Sequence, residues 1–121
     1  MANDSLNIQV DQTALSQDKE SGRAMIATDR AALATLQSQE KLAINADRGQ
    51  IKDDKKHDRS QVKADNAKLA SDTKQFQVAI SQAKGTLNAN TASSKQQIKA
   101  DTLQLRLDET QLKRDRKHRI P

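Results

Sequence analysis

The sequence predicts an all-α protein, and three observations support this fold class. Helix-favouring Ala, Gln, Lys, Leu and Arg dominate the 121 residues. The only proline is Pro121, so no proline ring interrupts a helix before that position. Large aliphatic residues recur every 18 residues, which equals five turns of an α-helix. A β-strand would need alternation at every second residue, so this period indicates helices.

The aliphatic residues occupy two positions of each repeat. When the chain is divided every 18 residues from Asp11, Leu or Ile stands at the fifth position and Ile or Val at the sixteenth. These positions lie about 20° apart on a helix, so they form one line, here called the stripe. Their spacings alternate between 7 and 11 residues, which predicts a nearly straight, coiled-coil-like helix. The stripe consists of Ile8, Leu15, Ile26, Leu33, Ile44, Ile51, Val62, Leu69, Ile80, Leu87, Ile98 and Leu105.

The two sides of the stripe carry opposite charges. Aspartates recur at the first and eighth positions of the repeat and form an acidic edge, while Lys and Arg form a basic edge on the other side. Parallel packing would bring the acidic edge of one helix against the basic edge of the next, whereas antiparallel packing would bring like edges together. We therefore expect a parallel homo-oligomer that associates through the stripe. The alternative is that the aspartates form only a solvated edge.

The predicted organisation divides the chain into four segments. Residues 1–4 are an N-terminal tail, and residues 5–84 form the repeat helix. Residues 85–94 are rich in Gly, Asn, Thr and Ser, which predicts a weak helix, a kink or a turn. Residues 95–119 form a C-terminal helix with a basic end.

A second fold remains open within the all-α class. Gly49 and Gly85 are two repeats apart and each weakens a helix, which would suit an antiparallel three-helix bundle with turns near residues 45–50 and 85–94. The stripe keeps its phase across both glycines, and a turn would let the register drift. Phase retention therefore favours the continuous helix over the bundle.

Positive charge is concentrated near the C-terminus. Cations at a helix C-terminus also counter the helix dipole, so the cluster has a structural explanation as well as a functional one. The functional interpretation is weak binding of nucleic acid or another anionic surface. The chain has a single Phe and no Trp or Tyr, so stacking on bases is not expected. The cluster contains Lys113, Arg114, Arg116, Lys117 and Arg119.

Two short segments carry a resemblance to known sequences. Thr28–Leu33 and Ala46–Ile51 resemble the A-D-R-x-x-L/I units of uncharacterised bacterial long-helix and coiled-coil repeat proteins. Ala64–Leu69 and Ala100–Leu105 match these units only in part, because they lack the arginine. The resemblance implies a long helical protein and no particular activity.

Composition restricts the function. Only 34% of the residues are hydrophobic and many of these are Ala, so neither a large core nor an enclosed pocket is expected. We therefore expect no enzyme, cofactor, metal or small-molecule substrate. The polar start Met1–Ser5 and the lack of a long apolar run predict a cytoplasmic location with no transmembrane segment.

The leading expectation for function is a non-enzymatic structural or interaction protein that self-associates through the stripe. One alternative is a basic helical module that binds DNA or an anionic surface. Another is a hydrophilic stress-type protein that folds only under certain conditions.

Overall fold

The computed structural model describes residues 2–119, and these residues form two long α-helices. Helix α1 comprises Ala2–His57 and helix α2 comprises Val62–Arg119. A short 3-10 turn at Arg59–Gln61 connects them. The described residues contain no strand, so the all-α class is confirmed.

Asp58 ends the first helix and caps the turn that follows. Its backbone leaves helical geometry, with φ of −154° and ψ of 84°. The Asp58 carboxylate accepts hydrogen bonds from the backbone N–H of Ser60, at 3.2 Å, and from the Ser60 hydroxyl. The Asp58 N–H donates to the carbonyl of Asp54 at 2.8 Å. This side chain satisfies donors that the start of a helical turn would otherwise leave unpaired, and that explains why the chain reverses here.

The turns predicted near residues 45–50 and 85–94 are absent. Residues 45–50 lie inside α1, and residues 85–94 lie inside α2. A glycine within a helix costs only about 1 kcal/mol relative to Ala, and neighbouring stripe residues that pack against a second helix can offset that cost. The predicted repeat helix 5–84 is also divided, because the chain turns at Asp58.

The chain forms two compact units. Unit 1 contains Met1–Ala27 and Asn88–Pro121, and unit 2 contains Thr28–Leu87. In unit 2, the end of α1 and the start of α2 form an antiparallel helical hairpin around the turn. In unit 1, the start of α1 and the end of α2 are also antiparallel, because facing residues rise in number along one helix and fall along the other.

The stripe lies at the seam between the helices of each unit. All twelve stripe residues are buried or half-buried. Among the described residues, Ile51, at 9% exposure, is the only buried large hydrophobic residue. The exposed large hydrophobic residues all lie off the stripe, and they include Leu42 and Val78. The seam is therefore narrow and depends on one line of aliphatic contacts.

Gly22 lies against Ser94 of the other helix in unit 1. It is buried, and a Cβ atom at this position would overlap the hydroxyl of Ser94 and lie 3.1 Å from the Ser94 Cβ. The other two glycines, Gly49 and Gly85, have open space where a Cβ would be. Gly22 thus permits close packing, whereas the others have no such packing role.

Candidate functional site

Among the contacts that the structure describes, four pairs of aspartates face each other across the seam. In each pair, one carboxyl comes from α1 and the other from α2, and the two lie close enough to share a hydrogen bond when one of them is protonated. A hydrogen bond between two carboxyl groups needs a proton on one of them, because an ionised carboxylate is only an acceptor. The carboxyl pairs are Asp11–Asp108 and Asp18–Asp101 in unit 1, and Asp47–Asp72 and Asp54–Asp65 in unit 2.

In both pairs of unit 1, an amide four residues earlier on α2 supports one aspartate. Gln104 donates to Asp108 Oδ1 at 3.2 Å, and Gln97 donates to Asp101 Oδ1 at 3.1 Å. Both donors are neutral, so they orient the carboxyl without cancelling its charge.

Among the four carboxyl pairs, only Asp47–Asp72 in unit 2 contacts a lysine in the described part of the chain. The Lys68 ammonium lies 3.0 Å from Asp47 Oδ1 and 3.7 Å from Asp72 Oδ2. The neighbouring pair instead receives an amide, because Gln50 donates to Asp54 Oδ1 at 3.0 Å. Charge compensation thus differs between the pairs of unit 2.

Several of these carboxyl oxygens are buried without a hydrogen-bond partner. Asp47 is only 5% exposed, which makes it the most buried charged residue described. The Oδ2 atoms of Asp11, Asp47, Asp65 and Asp101 are buried and have no hydrogen-bond partner. Removing a charged oxygen from water without a partner is unfavourable, so protonation would relieve each pair.

In unit 1, both pairs favour retention of a proton. The hydrogen bond with Asp108 and the burial of the site raise the pKa of Asp11 to about 6, and repulsion from Asp108 and Asp101 adds to the shift. The hydrogen bond with Asp101, followed by burial, raises the pKa of Asp18. Gln97 opposes this second shift because its amide stabilises the ionised form.

In unit 2, the two members of each pair shift in opposite directions. The hydrogen bond with Asp47 raises the pKa of Asp72, while the same bond and Lys68 lower the pKa of Asp47. The hydrogen bond with Asp54 raises the pKa of Asp65 and lowers that of Asp54. Because the shifts have opposite signs, the two members of each pair act against each other in the pH dependence of unit 2.

The carboxyl pairs were not predicted from the sequence, whose repeat indicated an acidic edge that would meet cations of a parallel helix or would face water. Within each unit the helices are antiparallel, so the like edges meet. Eleven residues further from the turn than Asp47 and Asp72, the same register places Leu36 opposite Ala83. Both residues stand at repeat positions that usually hold aspartate. The loss of both carboxyls at one facing position was therefore a signal in the sequence.

Many of the cations lie on the opposite edge of the stripe from the aspartates. At about 100° per residue, they project about 40–100° to one side of the fifth repeat position, whereas the aspartates project about 40–60° to the other. Antiparallel pairing puts the cationic edges of both helices on one side of each unit, and we call this side the basic face. In unit 1 it comprises Lys19, Arg23, Lys95, Arg106 and Lys113. In unit 2 it comprises Arg30, Lys41, Arg48, Lys52, Lys55 and Lys84.

Acidic and basic side chains differ sharply in exposure. Every Lys and Arg whose side chain the structure describes is exposed. Most acidic side chains are half-buried or buried, and the exposed ones within residues 3–117 are Glu20, Asp53, Asp58 and Glu109. The surface is therefore more positive than the formal net charge of +5 indicates.

The predicted C-terminal cluster is described only in part. The side chains of Lys113, Arg114, Arg116 and Lys117 are exposed, whereas the side chain of Arg119 lies outside the described residues. Arg114 projects about 180° from the stripe, so it lies off the basic face.

Other candidate sites are limited. His57 Nε2 and Asp53 Oδ1 lie 3.8 Å apart, and both side chains are largely exposed. Within the described residues, no group of three or more His, Asp or Glu side chains is arranged to hold a metal. Neither long helix, over the part described, has an apolar stretch suited to crossing a membrane.

Comparison of the chain with protein-family models, curated proteins and solved structures gives no match.

Proposed function

We propose that this chain is a non-enzymatic structural or interaction protein that self-associates through the stripe. The observation that supports this most is the phase of the stripe across the turn. Ile51 and Val62 are eleven residues apart, which is one of the two spacings of the repeat, although Arg59–Gln61 separates them. A hairpin does not require this spacing, because a turn releases the register between its two helices.

The retained phase suits a second arrangement of the same chain. If residues 58–61 became helical, the stripe would continue through them on one face. The stripe residues would then lose their partners within the chain and would need a second copy to cover them. The charged edges favour parallel pairing of such copies, because the acidic edge of one would meet the basic edge of the other.

The test converts the turn into helix. In the variant Asp58→Ala/Ser60→Ala, the capping carboxylate is lost and alanine favours the helix. We expect the concentration for half-association to fall by at least roughly fivefold, since loss of a cap is worth about 1 kcal/mol per chain. Analytical ultracentrifugation over a concentration series measures this shift.

Two matched variants distinguish this effect from nonspecific change. Asp53→Ala/Ser71→Ala replaces the same residue types at exposed helical positions and should leave association unchanged. Ile44→Ser/Leu69→Ser should abolish association, because both residues belong to the stripe. A single-chain mass at every concentration, for the unmodified chain and the turn variant alike, would contradict the proposal.

A further inference from the structure

The arrangement of charge within each unit goes beyond what self-association requires. Antiparallel pairing gathers cations from both helices onto the basic face. The same pairing directs the aspartates of the four carboxyl pairs into the seam, where each faces another carboxyl and not a surface cation. The exception is Lys68, which contacts Asp47 and Asp72 and lies off the basic face. The cations of the basic face are thus left to interact with a partner outside the chain.

We propose that the basic face of each unit binds the phosphate backbone of duplex nucleic acid. The face offers cations at the 7- and 11-residue spacings of the repeat, for example Arg30, Lys41 and Arg48. Such cations neutralise phosphates and displace condensed counterions, which is the main source of sequence-independent affinity. The one aromatic residue, Phe76, is half-buried, so the face positions a backbone and does not stack on bases.

The chemistry of the face favours a duplex over a lipid surface. Helices that lie on a membrane combine cations with large apolar side chains that enter the acyl region. Of the large apolar residues described, only those of the stripe border the basic face, and they lie at the seam. The exposed Leu42 and Val78 project about 180° from the stripe, away from the cations. A phosphate backbone needs no apolar contact.

The test uses the full chain and a labelled duplex of random sequence. Fluorescence anisotropy over a salt series should show binding that weakens as salt rises, with a logarithmic slope of about −0.9 per phosphate neutralised. The variant Arg30→Gln/Lys41→Gln/Arg48→Gln should bind at least roughly tenfold more weakly and reduce the magnitude of that slope. Circular dichroism should show helix content equal to that of the unmodified chain.

A matched pair of single variants tests the position of the contact surface. Arg106 lies on the basic face, and Arg114 lies on the same helix outside it. Arg106→Gln should weaken duplex binding, whereas Arg114→Gln, with the same loss of charge, should not.

Three results would overturn the proposal. Equal effects of Arg106→Gln and Arg114→Gln would show that charge alone matters and its position does not. Loss of binding on deletion of residues 113–121, with no effect of the triple variant, would assign binding to the C-terminal cluster. Binding to anionic phosphatidylserine vesicles without binding to the duplex would assign the face to lipid.

Discussion

Acidification from about pH 7.5 to about pH 4.5 is expected to raise the melting temperature of this protein. The raised pKa of Asp11, about 6 against 3.8 for an unperturbed aspartate, means that the folded chain holds this proton more tightly than the unfolded chain. The stabilisation is fully present below the unfolded value and is lost as pH rises through the folded value. Asp18, whose pKa is also raised, acts in the same direction.

The pairs of unit 2 limit this effect at lower pH. Asp47 and Asp54 have lowered pKa values, so the stability they contribute is present above the unfolded value and is lost as pH falls. The raised pKa values of Asp72 and Asp65 oppose that loss. We therefore expect the highest melting temperature near pH 4–5, above the range in which Asp47 and Asp54 lose their contribution.

Neutral variants test the cause of the pH dependence. Asp11→Asn/Asp18→Asn should raise the melting temperature at neutral pH by on the order of 5 °C and weaken its dependence on pH. Glu20→Gln/Glu109→Gln removes the same charge from exposed positions in unit 1 and should change neither. Thermal unfolding followed by circular dichroism measures both. A melting temperature that is constant or falls on acidification would contradict the role assigned to the carboxyl pairs.

Truncation of Ile51 should be the most destabilising single substitution in the stripe. Ile51 is the only buried large hydrophobic residue described, so Ile51→Ala removes apolar contacts and leaves a cavity at the seam. Such truncations cost about 2–5 kcal/mol, and a narrow seam that partly collapses puts the expected loss near the lower value.

Leu42→Ala provides the matched comparison. Leu42 lies on the same helix but is 68% exposed, so its truncation should change the free energy of unfolding by less than about 0.5 kcal/mol. Urea unfolding of both variants measures the difference. Equal losses would mean that the stripe is not the main source of helix packing.

The sequence predicted the helices and the stripe because both depend on local periodicity. An 18-residue repeat specifies which residues share a face, whatever that face contacts. It does not specify whether the second helix belongs to the same chain. The position of the turn was missed because Asp58 lies in a charged segment with no glycine or proline. The Asp58 carboxylate caps the turn by accepting from the Ser60 N–H. A contact that depends on one side chain leaves no periodic signal.

The carboxyl pairs were missed for a related reason. Which edges meet depends on helix direction, and the expectation of parallel packing led to pairing of acid with base. Leu36 and Ala83 indicated the antiparallel pairing, because they face each other and both lack the carboxyl that the repeat usually has there. The burial of Asp47 and the contacts of Lys68 could not be predicted without the register.

Disulfide formation tests directly whether the facing aspartates belong to antiparallel helices of one chain. The chain has no cysteine, so Asp18→Cys/Asp101→Cys introduces the only thiols. Mild oxidation should link them within one chain, seen as a single-chain mass that migrates faster without reductant. Asp18→Cys/Leu103→Cys, with its second thiol at an exposed position, should link poorly. Efficient links between chains in Asp18→Cys alone, with none within the double variant, would contradict the account.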